Sequence, residues 1–187
     1  SSFQRIDDLI ERMGAITRQL KSYARKGGEA FEALDVRSSI SSALSMMEPQ
    51  LKRRQVRITR NMPRDPVVVV GDKVRLEQVL INLLRNAIDA TKAAAAPKVD
   101  ILLTADSESA RISVRDNGPG VADLDKLFEP FYTTKAPGDG VGLGLAISSG
   151  IVNDLGGRLT AKNVSNGGAV FEISLPLADF ATGQAAE

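Results

Sequence analysis

The pattern of apolar and polar positions predicts one amphipathic helix around which the other elements are arranged. Between residues 72 and 91, apolar residues recur three and four positions apart and so share one face: Leu76, Val79, Leu80, Leu83, Leu84, Ala87 and Ile88. Asp72 can cap the N-terminus of this helix. Asn82, Asn86 and Asp89 lie beside the apolar face, and the two asparagines are four residues apart on one flank. Taken alone, these amides could equally well be structural residues at the edge of the core.

Outside this helix, segments with the apolar spacing of a helix alternate along the chain with segments typical of β-strands. Apolar residues at helical spacing predict further helices over 38–52 and 142–155. Alternating or β-branched runs predict a short strand entry at Phe31, Leu34 and Val36, and strands at 56–58, 67–70, 98–104, 110–115, 158–163 and 169–175. We therefore expect an α+β fold, a two-layer sandwich of a mixed β-sheet with helices on one face.

The first 27 residues have a different pattern from the rest. A heptad repeat and a second stripe beside it predict a long helix suited to a helical bundle, formed by Phe3, Ile6, Ile10, Met13, Thr17, Leu20 and Ala24 with Leu9, Ile16 and Tyr23. Gly27-Gly28 ends this helix. We expect three parts: a bundle helix at 1–27, a globular domain at 28–177 and a disordered tail at 178–187. The alternative is an amphipathic helix packed on its own domain.

Composition excludes several classes of function. The 187 residues contain no cysteine and no histidine, so disulfides, a Ser-His-Asp triad and imidazole metal ligands are excluded. The net charge of +1 does not indicate nucleic acid. The basic run from Lys52 to Arg64 is best explained as solvated surface, with a docking site for an acidic partner as the alternative. No stretch approaches the about 18 apolar residues of a membrane span, so we expect no membrane contact here.

Two glycine-rich stretches are candidates for ligand binding. The sequence DNGPG at 116–120 follows a predicted strand, and GVGLGL at 140–145 precedes a predicted helix. Glycines at a helix N-terminus leave N–H donors free to bind an anion such as phosphate. The second stretch is not a Walker A motif, because no Gly-Lys-Ser/Thr follows it. It is not a Rossmann fingerprint either, because Leu145 takes the last glycine position.

Four motifs in order resemble the catalytic, ATP-binding domain of bacterial sensor histidine kinases. NLLRNA at 82–87 resembles the N box, DNGPG the first glycine box, FEPFYTTK at 128–135 the F box, and GVGLGL the second glycine box. These kinases share an ATPase superfamily with gyrase, the Hsp90 chaperones and MutL. The resemblance covers roughly residues 31–177. RMGAITRQLKSYARK at 12–26 resembles sensors of C4-dicarboxylate transport genes and their nitrogen-control relatives, as the second helix of the dimerisation and phosphotransfer hairpin.

The resemblance implies that ATP or ADP binds with Mg²⁺. Asn86 would hold the metal, and Asp116 would accept a hydrogen bond from the adenine 6-amino group. Gly118 and Gly120 would let the backbone approach the base. Asn82 would assist metal or phosphate placement. In the hydrolytic relatives a water-activating glutamate stands there, so the amide favours a kinase over an efficient ATP hydrolase.

Residues 121–141, between the two glycine boxes, would form the ATP lid. Lys135 is a lid cation well placed to reach the phosphates, with a solvated lid lysine as an equal alternative. Asn82, Asn86 and Lys135 are therefore the catalytic candidates. The remaining nucleotide-binding candidates are Tyr132, Thr133, Thr134, Gly140, Gly142, Leu143 and Gly144. We expect Phe128, Phe131 and Tyr132 to anchor the lid as an aromatic cluster, with ordinary core packing as a nearly equal alternative.

The implied function is transfer of the ATP γ-phosphate to a histidine upstream of Ser1, for relay to a response-regulator aspartate. The resemblance also implies a homodimer through the helical hairpin and a cytoplasmic domain of an inner-membrane sensor kinase. Two alternatives stay open at this point. One is a protein serine kinase of the same superfamily, and the other is a nucleotide-binding regulatory module without catalysis.

Overall fold

A computed structural model describes residues 31–136, 140 and 142–178 of the chain. The predicted bundle helix and its Gly27-Gly28 end lie outside these residues, as do lid positions 137–139 and 141 and most of the predicted tail. None of the helices in the described ranges is long and apolar enough to cross a lipid bilayer.

Seven strands and three helices form the described part of the chain. In chain order they are β1 (Glu32–Asp35), α1 (Val36–Arg53), β2 (Arg57–Asn61), β3 (Val68–Gly71), α2 (Lys73–Ala90), β4 (Lys98–Ala105), β5 (Ser109–Asp116), α3 (Gly144–Asp154), β6 (Arg158–Asn163) and β7 (Ala169–Pro176).

Five strands form one mixed sheet in the order β2-β4-β5-β7-β6. The β2–β4 pair is parallel, and the other three pairs are antiparallel. Strands β1 and β3 form a separate antiparallel pair, which an isolated bridge between Val69 and Leu177 joins to the end of β7. The arrangement confirms the predicted mixed sheet.

Helices cover one face of this sheet, and the core lies between the two layers. Strands β4, β5 and β7 bury alternate residues, as a sheet with one solvated face does. Helix α2 packs against α1, α3 and β5. All seven apolar residues predicted for its buried face are buried. The predicted α+β sandwich is confirmed, with α2 as its central helix.

Aspartates set the starts of the first two helices. Asp72 Oδ1 accepts hydrogen bonds from the Val74 and Arg75 backbone nitrogens at 3.0 and 3.2 Å, which confirms the predicted cap of α2. Asp35 caps α1 in the same way, accepting from the Arg37 backbone nitrogen at 3.1 Å. Val36 is therefore the first residue of α1. Its predicted place in a strand is wrong because the Asp35 cap starts the helix at Val36, two residues before the predicted start at 38.

Candidate nucleotide-binding site

Asp116 is a buried carboxylate at the end of β5. It is 3% exposed, and its Oδ1 accepts hydrogen bonds from the Gly118 backbone nitrogen at 2.8 Å and the Ala169 backbone nitrogen at 3.4 Å. Burial raises the pKa of Asp116, and the backbone donors oppose that shift only in part. A carboxylate that is buried without a cation partner is typical of a site that receives a polar ligand.

Glycines allow the backbone to pack closely around Asp116. A Cβ on Gly118 would lie 2.4 Å from the Ala90 carbonyl oxygen at the end of α2. Gly168 has a φ of +93°, and a Cβ there would lie 1.9 Å from the Asp116 carbonyl oxygen. The first glycine box is thus held between the C-terminus of α2 and the turn that leads into β7.

The two asparagines on the flank of α2 have different surroundings. Asn82 Nδ2 donates a hydrogen bond to Ser148 Oγ at 2.9 Å, and a Cβ on Gly144 would lie 2.6 Å from Asn82 Oδ1. Asn82 therefore connects α2 to the first turns of α3. Asn86 is partly buried, and no hydrogen bond within the described ranges engages its amide. Its amide oxygen is therefore available to a ligand on this flank.

The second glycine box leads into a helix that has no side-chain cap. Leu143 occupies the N-cap position of α3 and makes no capping hydrogen bond, in contrast to the aspartates at α1 and α2. The first N–H groups of α3 thus lack a side-chain acceptor. Leu143 itself belongs to the hydrophobic core. A contact between Leu143 and a nucleotide would therefore involve its backbone and not its side chain.

The base of the lid is fixed to the second glycine box by its backbone. The Phe131 backbone nitrogen donates to the Gly142 carbonyl oxygen at 2.9 Å, and a Cβ on Gly142 would lie 2.5 Å from the Phe131 carbonyl carbon.

The three predicted anchor aromatics do not act as one cluster. Phe128 packs against the core, whereas the Phe131 side chain is 70% exposed, so its predicted anchoring role is wrong. Phe131 has a φ of +66°, because the chain turns sharply to meet Gly142. Tyr132 is partly buried.

Lys135 reaches the flank of α2 from the lid. Its Nζ lies 2.6 Å from Asp89 Oδ2, and its backbone nitrogen donates to Thr133 Oγ1 at 3.1 Å. A Cβ on Gly140 would lie 3.1 Å from Lys135 Cδ, so the lysine stem passes beside the second glycine box. The Thr134 side chain is exposed. The predicted lid cation is therefore held by an ion pair within the chain.

Helix α2, which carries the N box, contacts residues of the other three motifs. On α2, Ala90 meets Gly118 of the first glycine box, Asn82 meets Gly144 of the second, and Asp89 meets Lys135 of the F box. Gly118, Gly144 and Lys135, one residue from each of these motifs, thus contact α2. Sequence reasoning assigned no role to Asp89, Ser148, Gly168 or Ala169, because their partners are distant along the chain. Gly168 lies in the turn between β6 and β7, and no local sequence signal predicts its contact with Asp116.

Metal binding at this site would depend on few protein ligands. Within the described ranges, no group of three or more His, Cys, Asp or Glu side chains could hold a metal ion. Mg²⁺ prefers hard oxygen ligands and keeps waters and substrate phosphates in its shell. The free amide oxygen of Asn86 fits an ion that is held mainly by a nucleotide.

The described residues form an α+β sandwich whose central helix contacts both glycine boxes and the lid lysine. Residues 71–179 match the family described as histidine kinase-, DNA gyrase B- and HSP90-like ATPase, and the chain belongs to this family. The motif-based resemblance to the catalytic domain of histidine kinases is confirmed.

Curated relatives include several sensor proteins. The chain is 38% identical over 177 residues to the C4-dicarboxylate transport sensor protein DctB of Pseudomonas aeruginosa, covering 93% of this chain and 29% of that protein. It is 32% identical over 186 residues to the sensor protein FixL of Bradyrhizobium diazoefficiens, covering 96% of this chain and 36% of FixL. The chain thus spans about a third of the length of these relatives.

Solved structures of histidine kinases share the fold. The catalytic domain of histidine kinase ThkA superimposes with a TM-score of 0.71 at 30% identity, over 79% of this chain and 98% of that domain. The Acinetobacter baumannii histidine kinase AdeS gives a TM-score of 0.76 at 26% identity, over 94% of this chain and 83% of AdeS. The chain is therefore a catalytic domain of the histidine-kinase type.

Proposed function

We propose that this domain binds ATP with Mg²⁺ and transfers the γ-phosphate to a histidine carried by a segment outside the chain, for relay to a response-regulator aspartate. One observation carries the proposal: the flank of α2 contacts both glycine boxes and the lid lysine. Phosphoryl transfer depends mainly on positioning and electrostatic stabilisation, and this arrangement supplies both.

Asp116 is the adenine-binding residue of the proposal. Its carboxylate is buried, carries no cation partner within the described residues, and follows a strand that ends in the first glycine box. A carboxylate in such a place accepts a hydrogen bond from an exocyclic amine and rejects a carbonyl oxygen. Gly118 and Gly120 would let the base approach the backbone. Selection of adenine over guanine follows from this chemistry.

Three groups would contact the phosphates or their metal ion: Asn86, Lys135 and the N-terminus of α3. Asn86 offers a neutral oxygen to Mg²⁺, and when bound the metal neutralises charge on the phosphates. Lys135 adds a second cation from the lid. The uncapped N-terminus of α3 offers backbone donors next to Gly140, Gly142 and Gly144. Tyr132, Thr133 and Thr134 would border the same phosphates.

Asn82 favours transfer to a protein acceptor over hydrolysis. An amide cannot act as a general base at neutral pH, and this one already donates its N–H to Ser148. Water in the site would therefore lack an activating group at this position. We expect slow ATP hydrolysis.

The partners are proposed from the relatives. A solved structure holds histidine kinase ThkA in complex with the response regulator TrrA, and we propose a response regulator for this chain too. Residues 1–27 would form the second helix of a dimerising hairpin, 28–177 the kinase domain and 178–187 a disordered tail. We propose a cytoplasmic domain of an inner-membrane sensor, with no nucleic acid and no membrane contact in this part.

A transfer assay with labelled ATP tests the proposal. The chain alone should bind ATP and ADP but acquire no acid-labile phosphate, since it has no histidine. A histidine-bearing hairpin supplied in trans should become labelled, and Asn86→Ala should remove the dependence of binding on Mg²⁺. Acid-stable phosphate on serine or threonine would favour a protein serine kinase. Nucleotide binding without any transfer would favour the non-catalytic regulatory module.

A further inference from the structure

The ion pair between Lys135 and Asp89 joins the lid to the helix that carries Asn86. The two residues lie 46 positions apart in the chain, and Lys135 Nζ is 2.6 Å from Asp89 Oδ2. Their side chains are 33% and 36% exposed, so the pair lies at the rim of the site. Asp89 follows Asn86 by three residues and therefore lies on the same flank of α2.

Several contacts direct the lysine to this position. Thr133 Oγ1 accepts from the Lys135 backbone nitrogen, and the lysine stem passes close to Gly140. The ammonium therefore lies between the second glycine box and the flank of α2. This is the region in which the proposed function requires a phosphate. The partner that Lys135 has there in the structure is a carboxylate.

We propose that Asp89 is a positioning residue that competes with nucleotide phosphates for the ammonium of Lys135. The proposal rests on the proposed function, because it concerns the same phosphate site. A carboxylate and a phosphate oxygen are both anions that accept hydrogen bonds from an ammonium. Asp89 keeps Lys135 at the site when no nucleotide is bound, and it also neutralises the charge that would attract a phosphate.

The net charge of the Lys135–Asp89 pair predicts whether neutralising Asp89 strengthens or weakens the binding of a polyphosphate. Lys135 and Asp89 together carry no net charge, whereas Lys135 beside a neutral amide would carry one positive charge. A polyphosphate should therefore bind more tightly when Asp89 is neutral. Mg²⁺ bound with the nucleotide supplies positive charge of its own, so the effect should be largest without the metal.

The direct test compares ADP binding without Mg²⁺ in wild type and Asp89→Asn. For a partly exposed ion pair we expect about two- to five-fold tighter binding of ADP to the variant. Adenosine has no phosphate, so its affinity should not change. The gain for ADP should shrink at high ionic strength. Isothermal titration calorimetry measures all three.

Matched variants separate this effect from a general loss of negative charge. Glu108→Gln removes an exposed carboxylate that lies outside the proposed site and has no ion pair within the described residues, and it should leave ADP affinity unchanged. Asp89→Glu keeps the charge and should bind ADP nearly as the wild type does. If Glu108→Gln tightens ADP binding as much as Asp89→Asn, the proposal is overturned.

A second measurement tests whether the pair holds the lid. Asp89→Asn, Lys135→Gln and the double variant should all speed amide exchange in residues 131–136 of the nucleotide-free protein. Because each single change already breaks the pair, the double variant should exchange no faster than the singles. Additive acceleration would contradict the proposal.

Two failures remain distinguishable. If the wild type binds no ADP, the proposed function is wrong. If the wild type binds ADP and Asp89→Asn binds it equally or more weakly, the proposed function stands and the role of Asp89 as a competing anion is overturned.

Discussion

Asn82 donates a hydrogen bond from Nδ2 to the hydroxyl oxygen of Ser148 at 2.9 Å, and this contact joins α2 to α3. Ser148 is among the few buried polar residues of the described core. The contact places Asn82 against the helix that follows the second glycine box. Asn82 thereby supports the position of that helix.

Replacing Ser148 by alanine should destabilise the domain by about 1 kcal/mol, because the Asn82 amide loses its acceptor. Ser149→Ala is the matched control on the same helix. Its hydroxyl makes no hydrogen bond within the described ranges, and alanine is the better helix former, so its effect should be near zero or slightly stabilising. Urea unfolding measures both. Equal free energies of unfolding for the two variants would argue against a role for the Asn82–Ser148 contact.

Gly168→Ala should destabilise far more than Gly167→Ala. Both glycines have positive φ, +93° and +92°, so either alanine pays roughly 1–2 kcal/mol of backbone strain. Only the Gly168 Cβ would clash, at 1.9 Å from the Asp116 carbonyl oxygen, while the nearest atom to a Gly167 Cβ is 3.7 Å away. Thermal unfolding should show the difference. Similar melting temperatures would mean that the turn can move away from Asp116 at little cost.

Asp116→Asn should weaken ADP binding about ten- to a hundred-fold, since it removes a charged acceptor and turns an amide donor toward the adenine amine. Tripolyphosphate has no base and should bind the variant as it binds the wild type. Calorimetry with both ligands checks this. Equal losses for ADP and tripolyphosphate would indicate a general disruption of the site and not a loss of adenine recognition.

The same substitution should change how stability depends on pH. Burial raises the pKa of Asp116 above its ordinary value of 3.8, so its ionisation opposes folding. The protonated Asp116 side chain contributes its full stabilisation of the folded state below pH 3.8, and this stabilisation is lost as pH rises through the folded-state pKa. Relative to the wild type, Asp116→Asn should therefore gain stability as pH rises from below 3.8 toward neutrality. A difference that does not vary with pH would contradict the raised pKa.

Asp35→Ala should destabilise the domain by about 1–2 kcal/mol, because Asp35 caps α1 and also accepts from the Val67 backbone nitrogen at 3.2 Å. The hydrogen bond from the Arg37 side chain lowers the pKa of Asp35 below 3.8. The ionised Asp35 carboxylate therefore stabilises the folded state above pH 3.8, and this stabilisation is lost as pH falls through the folded-state pKa. Denaturant unfolding across this range measures the loss. Glu32→Gln removes an exposed carboxylate from the same strand and should have little effect.

Local patterns were sufficient to predict the central helix. The apolar face of α2 and its Asp72 cap depend on residues within a few turns of each other, so the sequence alone determined them. The start of α1 was misplaced because two signals overlapped there: Val36 fits a strand, but the aspartate before it caps a helix. The hydrogen bond that the Asp35 side chain accepts at the helix start outweighs the strand propensity of Val36.

Contacts between distant segments could not be predicted in the same way. Asp116 was predicted as a site residue because DNGPG resembles the first glycine box, but its neighbour Gly168 comes from a hairpin 52 residues later. The partner of Lys135 was missed because a flexible lysine gives no sequence signal for which carboxylate it will meet. The exposed Phe131 side chain was missed because its positive φ arises from the tertiary contact with Gly142.

The partly buried Tyr132 gives the domain a fluorescence probe of its own. The chain has no tryptophan and two tyrosines, Tyr23 and Tyr132, so replacing Tyr23 by phenylalanine leaves one emitter. That emitter follows directly on Phe131, whose backbone nitrogen bonds to Gly142 of the second glycine box. Its emission would report, without any attached dye, on the solvent exposure of the lid base as nucleotide is added.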